Sequence, residues 1–549
     1  MKPFKRPALF SLSALCIIPA VLAGEPKAVR TEVLGPWVGE EAPLHPDNLV
    51  PHPIRFYGTD LGWTYEHDGR LQLLFGDTMA AEKGGSIETY SGNRLDDSYG
   101  TVDLSAWPDP ANIRAGNLPP VRIGQNPNSA EAAAIDPGVA LEGFKTPVGG
   151  FSNGRHEFGL FYTGKPAGCA ADGDCANHLS CDAGLGYAGE PYDQFEGQTY
   201  PCLDGSSPFC HADTVGVRYG EPVPGSGLCV DEGSTIRAPE GFGRISAVGL
   251  RMLVGMRDSH DPKRYIETTE WLTNRFLNLS VRTVQDFDPA RESAQQDYSA
   301  AQAGGENRKV FIWGRPAFMG VKARNRPAAQ YFAYVDMPRG RAYDWHPRYF
   351  AGLDEDGRPR FSAVETDAAP LDLDANAPGV QYVEEHDVVN QVSVAWVEPL
   401  RKWVMFYGGG VTVIPYPPML ANCGVLEFFT GPECSDVVIG DGAFHMRTAD
   451  HPWGPWSPPQ DLIAGGDPDA GPAGQYGVGG MLRHPDCAEP GCAPHTDARD
   501  VNRREYGFFY SANIIEQWTR PAGDGVDIIW NASTWDPYRI ILLRTRIEP

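Results

Sequence analysis

The chain has 549 residues and carries 71 acidic against 46 basic side chains, a formal net charge of −25. Such a field repels nucleic acid, anionic lipid and acidic polysaccharide, and leaves a neutral partner as the compatible one. Sixty-three Gly, 49 Pro and 11% aromatic residues, with few long helical patterns, favour an all-β class with length for one large repeat domain or two or three ordinary ones.

The first element stands apart from the fold. Lys2, Lys5 and Arg6 precede an apolar run from Ala8 to Leu22 with small residues at Ala20 and Ala23, the pattern of a secretory signal peptide cleaved after Ala23. A secreted or periplasmic location follows, and loss of the three cations takes the charge from −25 to −28. Cys16 lies in this segment behind Leu15, where a lipid-anchor signal wants a small residue. Of 11 cysteines, 10 remain, and an even number in an exported chain reads as disulfides. No later apolar run of about 20 residues is long enough to span a membrane. Residues 24–53 are Pro-rich and read as an irregular N-terminal arm, and residues 54–549 as a single domain.

Arg55 to Met79, RFYGTDLGWTYEHDGRLQLLFGDTM, reads as a hairpin turning at Asp68-Gly69, where both residues tolerate positive φ. His67 then faces Arg70, and the same register sets Asp60 opposite Asp77. Side chains so placed share a face, with Cβ atoms roughly 4.5 to 5.5 Å apart. Like charges there destabilise a sheet, whereas glycoside hydrolysis needs two carboxylates flanking one bond. Two other readings compete. Asp60 can sit in a turn while Asp77 caps a strand end, and a bulge at Gly58 or Gly62 spoils the register.

An apolar, aromatic strand ending in a small residue recurs at Arg70 to Gly76, Glu157 to Gly164, Lys309 to Pro316, Lys402 to Gly409 and Arg504 to Ala512. Repeated small sheets of this kind predict a five-bladed β-propeller with long loop insertions. Two packed β-sandwiches are the alternative, because the spacing of roughly 70 to 150 residues exceeds the usual repeat.

The largest insertion, about 165–232, is cysteine-rich: Cys169, Cys175, Cys181, Cys202, Cys210 and Cys229. With little to form a core, it is expected to be disulfide-held; zinc is the rival reading, but paired C-x-x-C spacing is missing. Cys423 with Cys434, and Cys487 with Cys492, read as local staples. A surface helix is expected near Ala290 to Gly304, and the Pro-Trp stretch Asp450 to Leu462 is expected to pack an outer strand. The acidic loop Gly465 to Gly471 lacks the spacing of a calcium loop. No metal or cofactor is expected.

GTDLG at Gly58 to Gly62, LFGDT at Leu74 to Thr78, TPVGGF at Thr146 to Phe151, NQVSVAW at Asn390 to Trp396, GPWSPP at Gly454 to Pro459 and the closing STWDPYRIILLRTRI from Ser533 together resemble one family. It is the secreted bacterial five-bladed propeller family, formerly a domain of unknown function, associated with endo-D-arabinanase activity on arabinan of mycobacterial type. The resemblance implies a glycoside hydrolase acting on α-D-arabinofuranosyl linkages, with catalytic carboxylates at Asp60 and Asp77. The six-cysteine insertion departs from the family core.

Two close carboxylates cannot both ionise easily, so one serves as acid while the other stays charged. The sequence leaves the two roles unassigned. Cross-strand pairing favours the short separation that goes with retention of configuration. Arg315, His260, Glu385 and Asn390 are weaker candidates for substrate contact, and Glu384, Asp387, Asp231 and Glu232 are reserve acids. No nucleophile elbow, paired metal-binding histidines or phosphate loop occurs. The rival class is a non-catalytic glycan- or surface-binding propeller, since the fold hosts both.

Overall fold

A computed structural model describes residues 25–39, 42, 54–76, 78–82, 97–123, 146–166, 168–175, 180–182, 227–237, 244–248, 250–273, 275–285, 287–288, 308–315, 330–371, 391–408, 444–463, 508–535 and 539–549. The chain is all-β, and five antiparallel sheets form the blades of a propeller. No α-helix occurs among the described residues, only short 3-10 turns. The helix expected near Ala290 to Gly304, the acidic loop and the signal segment lie outside the described residues.

The inner strands of the five blades are Leu61–His67, Thr146–Ser152, Asn278–Val284, Val392–Val397 and Phe508–Ile514. Each packs beside the next, and the fifth returns to the first, which closes the ring. The second strands of blades 1 to 4 are Arg70–Phe75, Glu157–Pro166, Lys309–Arg315 and Lys402–Gly408, four of the five apolar segments legible in the sequence. Such a strand is buried on both faces, so its residues form a continuous apolar run instead of alternating. In blade 3, Val310 and Ile312 pack with Leu160 of blade 2, whereas Phe311 and Trp313 pack with Val394 and Met405 of blade 4. The fifth segment is an exception. Phe508–Ile514 is the inner strand of blade 5, and its second strand is Gly525–Trp535.

The N-terminal segment expected as an irregular arm contains a 12-residue strand, Lys27–Val38, paired antiparallel with Arg539–Glu548. Blade 5 thus takes its outer strand from the N-terminus and its other principal strands from the C-terminus. Trp37 anchors this seam. It is 1% exposed, donates from Nε1 to the Pro119 carbonyl at 2.8 Å and meets Trp518 edge-on at 5.7 Å.

The cysteine-rich insertion joins the second and third strands of blade 2, which pair at Pro166 and Leu250. It includes a small sheet of its own, with disulfides Cys169–Cys181 and Cys175–Cys229. These four sulfurs are therefore bonded in pairs and not available to zinc. Cys202, Cys210, Cys423, Cys434, Cys487 and Cys492 lie outside the described residues. Trp453 and Trp456 of the Pro-Trp stretch are buried against the aromatic cluster between blades 3 and 4.

Candidate active site

The two ends of the ring differ in chemistry. At the end where the first hairpin turns, polar groups pair with one another. Arg257 donates to Gln72 at 3.1 Å and Glu157 at 3.0 Å, and Tyr65 donates to Glu157 at 2.9 Å. Burial, then the Glu157 charge, pushes the Tyr65 hydroxyl well above its usual range. The opposite end, where inner strands begin, holds Asp60.

Asp60 owes its position to an interrupted ladder. From the Asp68-Gly69 turn the register runs as expected, His67 opposite Arg70 through Trp63 opposite Leu74. A bulge at Gly62 then sets Leu61 opposite Phe75, and beyond the gap the chain resumes pairing with Gly58 opposite Met79. Thr59 and Asp60 fill one side of the gap; Gly76 and Thr78 are on the other. The direct Asp60–Asp77 pairing is therefore corrected: Asp60 stands opposite Gly76, whose N–H donates to the Asp60 carbonyl at 3.2 Å. Asp77 lies outside the described residues. The basis for the short carboxyl separation goes with that pairing.

The bulge bends backbone that an ordinary ladder would satisfy. Leu61 takes φ of 65° and Gly62 67°, and a non-glycine residue there costs on the order of 1–2 kcal/mol. Side chains of blade 5 take up the displaced groups. Ser533 Oγ accepts from Leu61 N–H at 2.8 Å, while Ser511 Oγ and Asn513 Nδ2 donate to the Leu61 carbonyl at 3.1 and 2.7 Å. Asn531 Nδ2 donates to the Gly62 carbonyl at 3.0 Å. The strained turn that presents Asp60 is thus held across the seam where the ring closes.

Asp60 is half-buried, and its Oδ2 accepts from the Tyr510 hydroxyl at 2.7 Å. Its Oδ1 lies over Gly76, where an added Cβ would overlap that oxygen and come within 2.8 Å of Leu61 Cδ1. Gly76→Ala is accordingly expected to displace the carboxylate and lower turnover about 100-fold, the scale of a 1 Å misplacement, with folding checked by circular dichroism. Beneath the gap, hydroxyls link its two sides. Thr59 bonds Thr78 at 3.1 Å, Thr78 bonds Ser98, and the preceding residue, buried Asp97, accepts from Thr146 of blade 2 at 3.3 Å.

The other sequence candidates are dispersed. Arg315 ends the second strand of blade 3 at the Asp60 end of the ring; it is fully buried and pairs with Asn278. His260 is in the turn between Arg257 and Tyr265, at the opposite end, with its side chain 93% exposed. The structure does not bring it to Asp60. Asp231 and Glu232 belong to Gly227–Arg237 in the insertion. Glu384, Glu385, Asp387 and Asn390 lie outside the described residues, but the adjoining Gln391 is buried and its Oε1 accepts from Ser511 N–H at 3.2 Å. Sequence reading missed Tyr510 and Asp97. Tyr510 looked like one more strand aromatic in REYGFFYSA, and Asp97 is signalled only by an acidic pair before the strand Ser98–Asp103.

Neither a protein-family model nor a curated protein matches the chain. Solved structures similar in chain course include a putative hydrolase from Bacteroides ovatus, at 10% identity and a TM-score of 0.37, covering 89% of this chain and 86% of the other. An α-L-arabinofuranosidase from Podospora anserina matches at 10% identity and 0.32, over 94% and 97% of the two chains. A GH43 β-xylosidase/α-arabinofuranosidase from a compost metagenome matches at 9% and 0.32, over 95% and 94%. Likenesses of this degree concern the course of the backbone and carry nothing about activity.

Proposed function

We propose that the protein is a secreted glycoside hydrolase that cleaves α-D-arabinofuranosyl linkages in a neutral cell-wall arabinan, with Asp60 and Asp77 as its two carboxylates. The observation behind this reading is the construction around Asp60. A strained bulge, four side chains of another blade and a residue without a side chain combine to present one half-buried carboxylate at a ring end. A structural cap does not call for such an apparatus, and strain of this kind clusters at active sites. Asp77, next after Gly76 in the sequence, is the second carboxylate of this reading. The GTDLG and LFGDT resemblance supplies the substrate class, and a formal charge of −25 suits a neutral glycan.

In that reaction one carboxylic acid gives its proton to the departing glycosidic oxygen. The charged partner either bonds to the anomeric carbon, to be displaced by water, or takes a proton from the water that attacks it. Water supplies the new hydroxyl in both cases; in the first route its proton returns to the acid, and in the second the base releases that proton to solvent, from which the acid is reprotonated.

The test is oligosaccharide release from D-arabinan, with L-arabinan and arabinoxylan in parallel. Release from D-arabinan alone supports the assignment. Glycan binding without release from any of the three moves the protein to the class of binding propellers.

A further inference from the structure

We propose that Tyr510 is a positioning residue that keeps Asp60 ionised, so that Asp60 is the charged carboxylate of the two-carboxylate reading above. The Tyr510 hydroxyl donates to Asp60 Oδ2 at 2.7 Å. A hydrogen bond donated to a carboxylate is stronger than one to the neutral acid, so it favours the charged form. The donor is held in place. Tyr510 is 8% exposed and packs in the same cluster as Leu61 and Tyr99. The next residue, Ser511, has φ of 58° and is fixed by Gln391 and by the Leu61 carbonyl. The residue that follows Asp60 is thus tied to the one that follows Tyr510, and the two side chains meet in one geometry.

Other ionisable groups lie at this end: blade 3 brings fully buried Arg315, opposite Asn278, and Arg275, which donates to the carbonyl of buried Glu365 at 2.8 Å. In blade 1 there is Asp97, which accepts from Thr146. In blade 5 there is Arg539, beside Thr534; by strand alternation it shares the side of Ile541, which packs toward blade 4. The facing side chains of blade 5 are the neutral Ser511, Asn513, Asn531 and Ser533, and blades 2 and 4 present the neutral Thr146 and Gln391. Glu516 and Arg282 face each other beyond Ile514, toward the far end of the axis, 3.5 Å apart. Tyr510 is an ionisable donor set directly on Asp60.

The test is a carbon-13 carboxyl titration of Asp-labelled wild type and Tyr510→Phe, with Asp60 assigned by the signal missing in Asp60→Asn. The Phe variant keeps the ring and its packing. The Asp60 midpoint is expected to rise by about one pH unit, the scale of one hydrogen bond to a charged group, and the acidic limb of kcat/KM on D-arabinan to move up with it. Coincident Asp60 titrations would overturn the proposal. That outcome differs from failure of the hydrolase reading, which shows as full activity in Asp60→Asn or as no release by wild type, while the titration gives its answer in either case. A merely structural Tyr510 would change the unfolding midpoint and leave both pH curves in place.

Discussion

Replacing Asp60 by Asn is expected to lower release of oligosaccharide about 1000-fold or more while leaving the protein folded. The amide has the size of the carboxylate, and its oxygen can still accept from Tyr510 in the place of Oδ2. What is lost is charge and basicity, and a positioned acid or base contributes about 10²–10⁴-fold. A 1000-fold loss corresponds to about 4 kcal/mol of transition-state stabilisation. Asp77→Asn should lose a similar factor. Since the pair acts on one bond, the double variant should be little worse than either single one. Turnover numbers with circular dichroism of each variant check this. Two additive losses would mean that the carboxylates act independently.

Trp37→Ala is expected to have the largest effect on stability, about 3–5 kcal/mol. The indole is buried between the outer strand of blade 5 and blade 1, among Leu34, Ile113, Leu118, Ile515 and Leu542. Truncation leaves a cavity in the seam and deprives the Pro119 carbonyl of its donor. The strand it sits on supplies the outer edge of blade 5, whose inner residues hold the Leu61–Gly62 bulge. Val29, on the same strand and 50% exposed, provides the contrast. Val29→Ala should change stability by no more than about 0.5 kcal/mol. Urea unfolding of both variants decides the matter, and equal midpoints would show that the seam is not what holds the ring.

The same seam explains what could be read from the sequence. The apolar runs in blades 1 to 4 were legible because a strand covered on both faces is apolar throughout, whatever lies next to it. The hairpin register was legible as far as Trp63 and Leu74, because an Asp-Gly turn fixes it locally. It slipped at Gly62, where the bulge depends on Ser511, Asn513, Asn531 and Ser533, between 450 and 472 residues away. Gly62 was legible as a bulge site, but no local pattern names the distant residues that hold it. The strand Lys27–Val38 was missed for a related reason. It is an outer strand with three register shifts, so its alternation is broken, and its partner is at the other end of the chain. Asp60, the proposed carboxylate, was a candidate from its hairpin and motif, whereas its partner Tyr510 became visible only when ring closure brought blade 5 to blade 1.

The most direct test of the central claim is a time course of soluble oligosaccharide released from D-arabinan by the purified mature protein, with Asp60→Asn as the paired control. The account predicts steady release by the wild type and about 1000-fold less by the folded variant. Equal rates for the two, or no release by a wild-type protein that still binds the glycan, would contradict it.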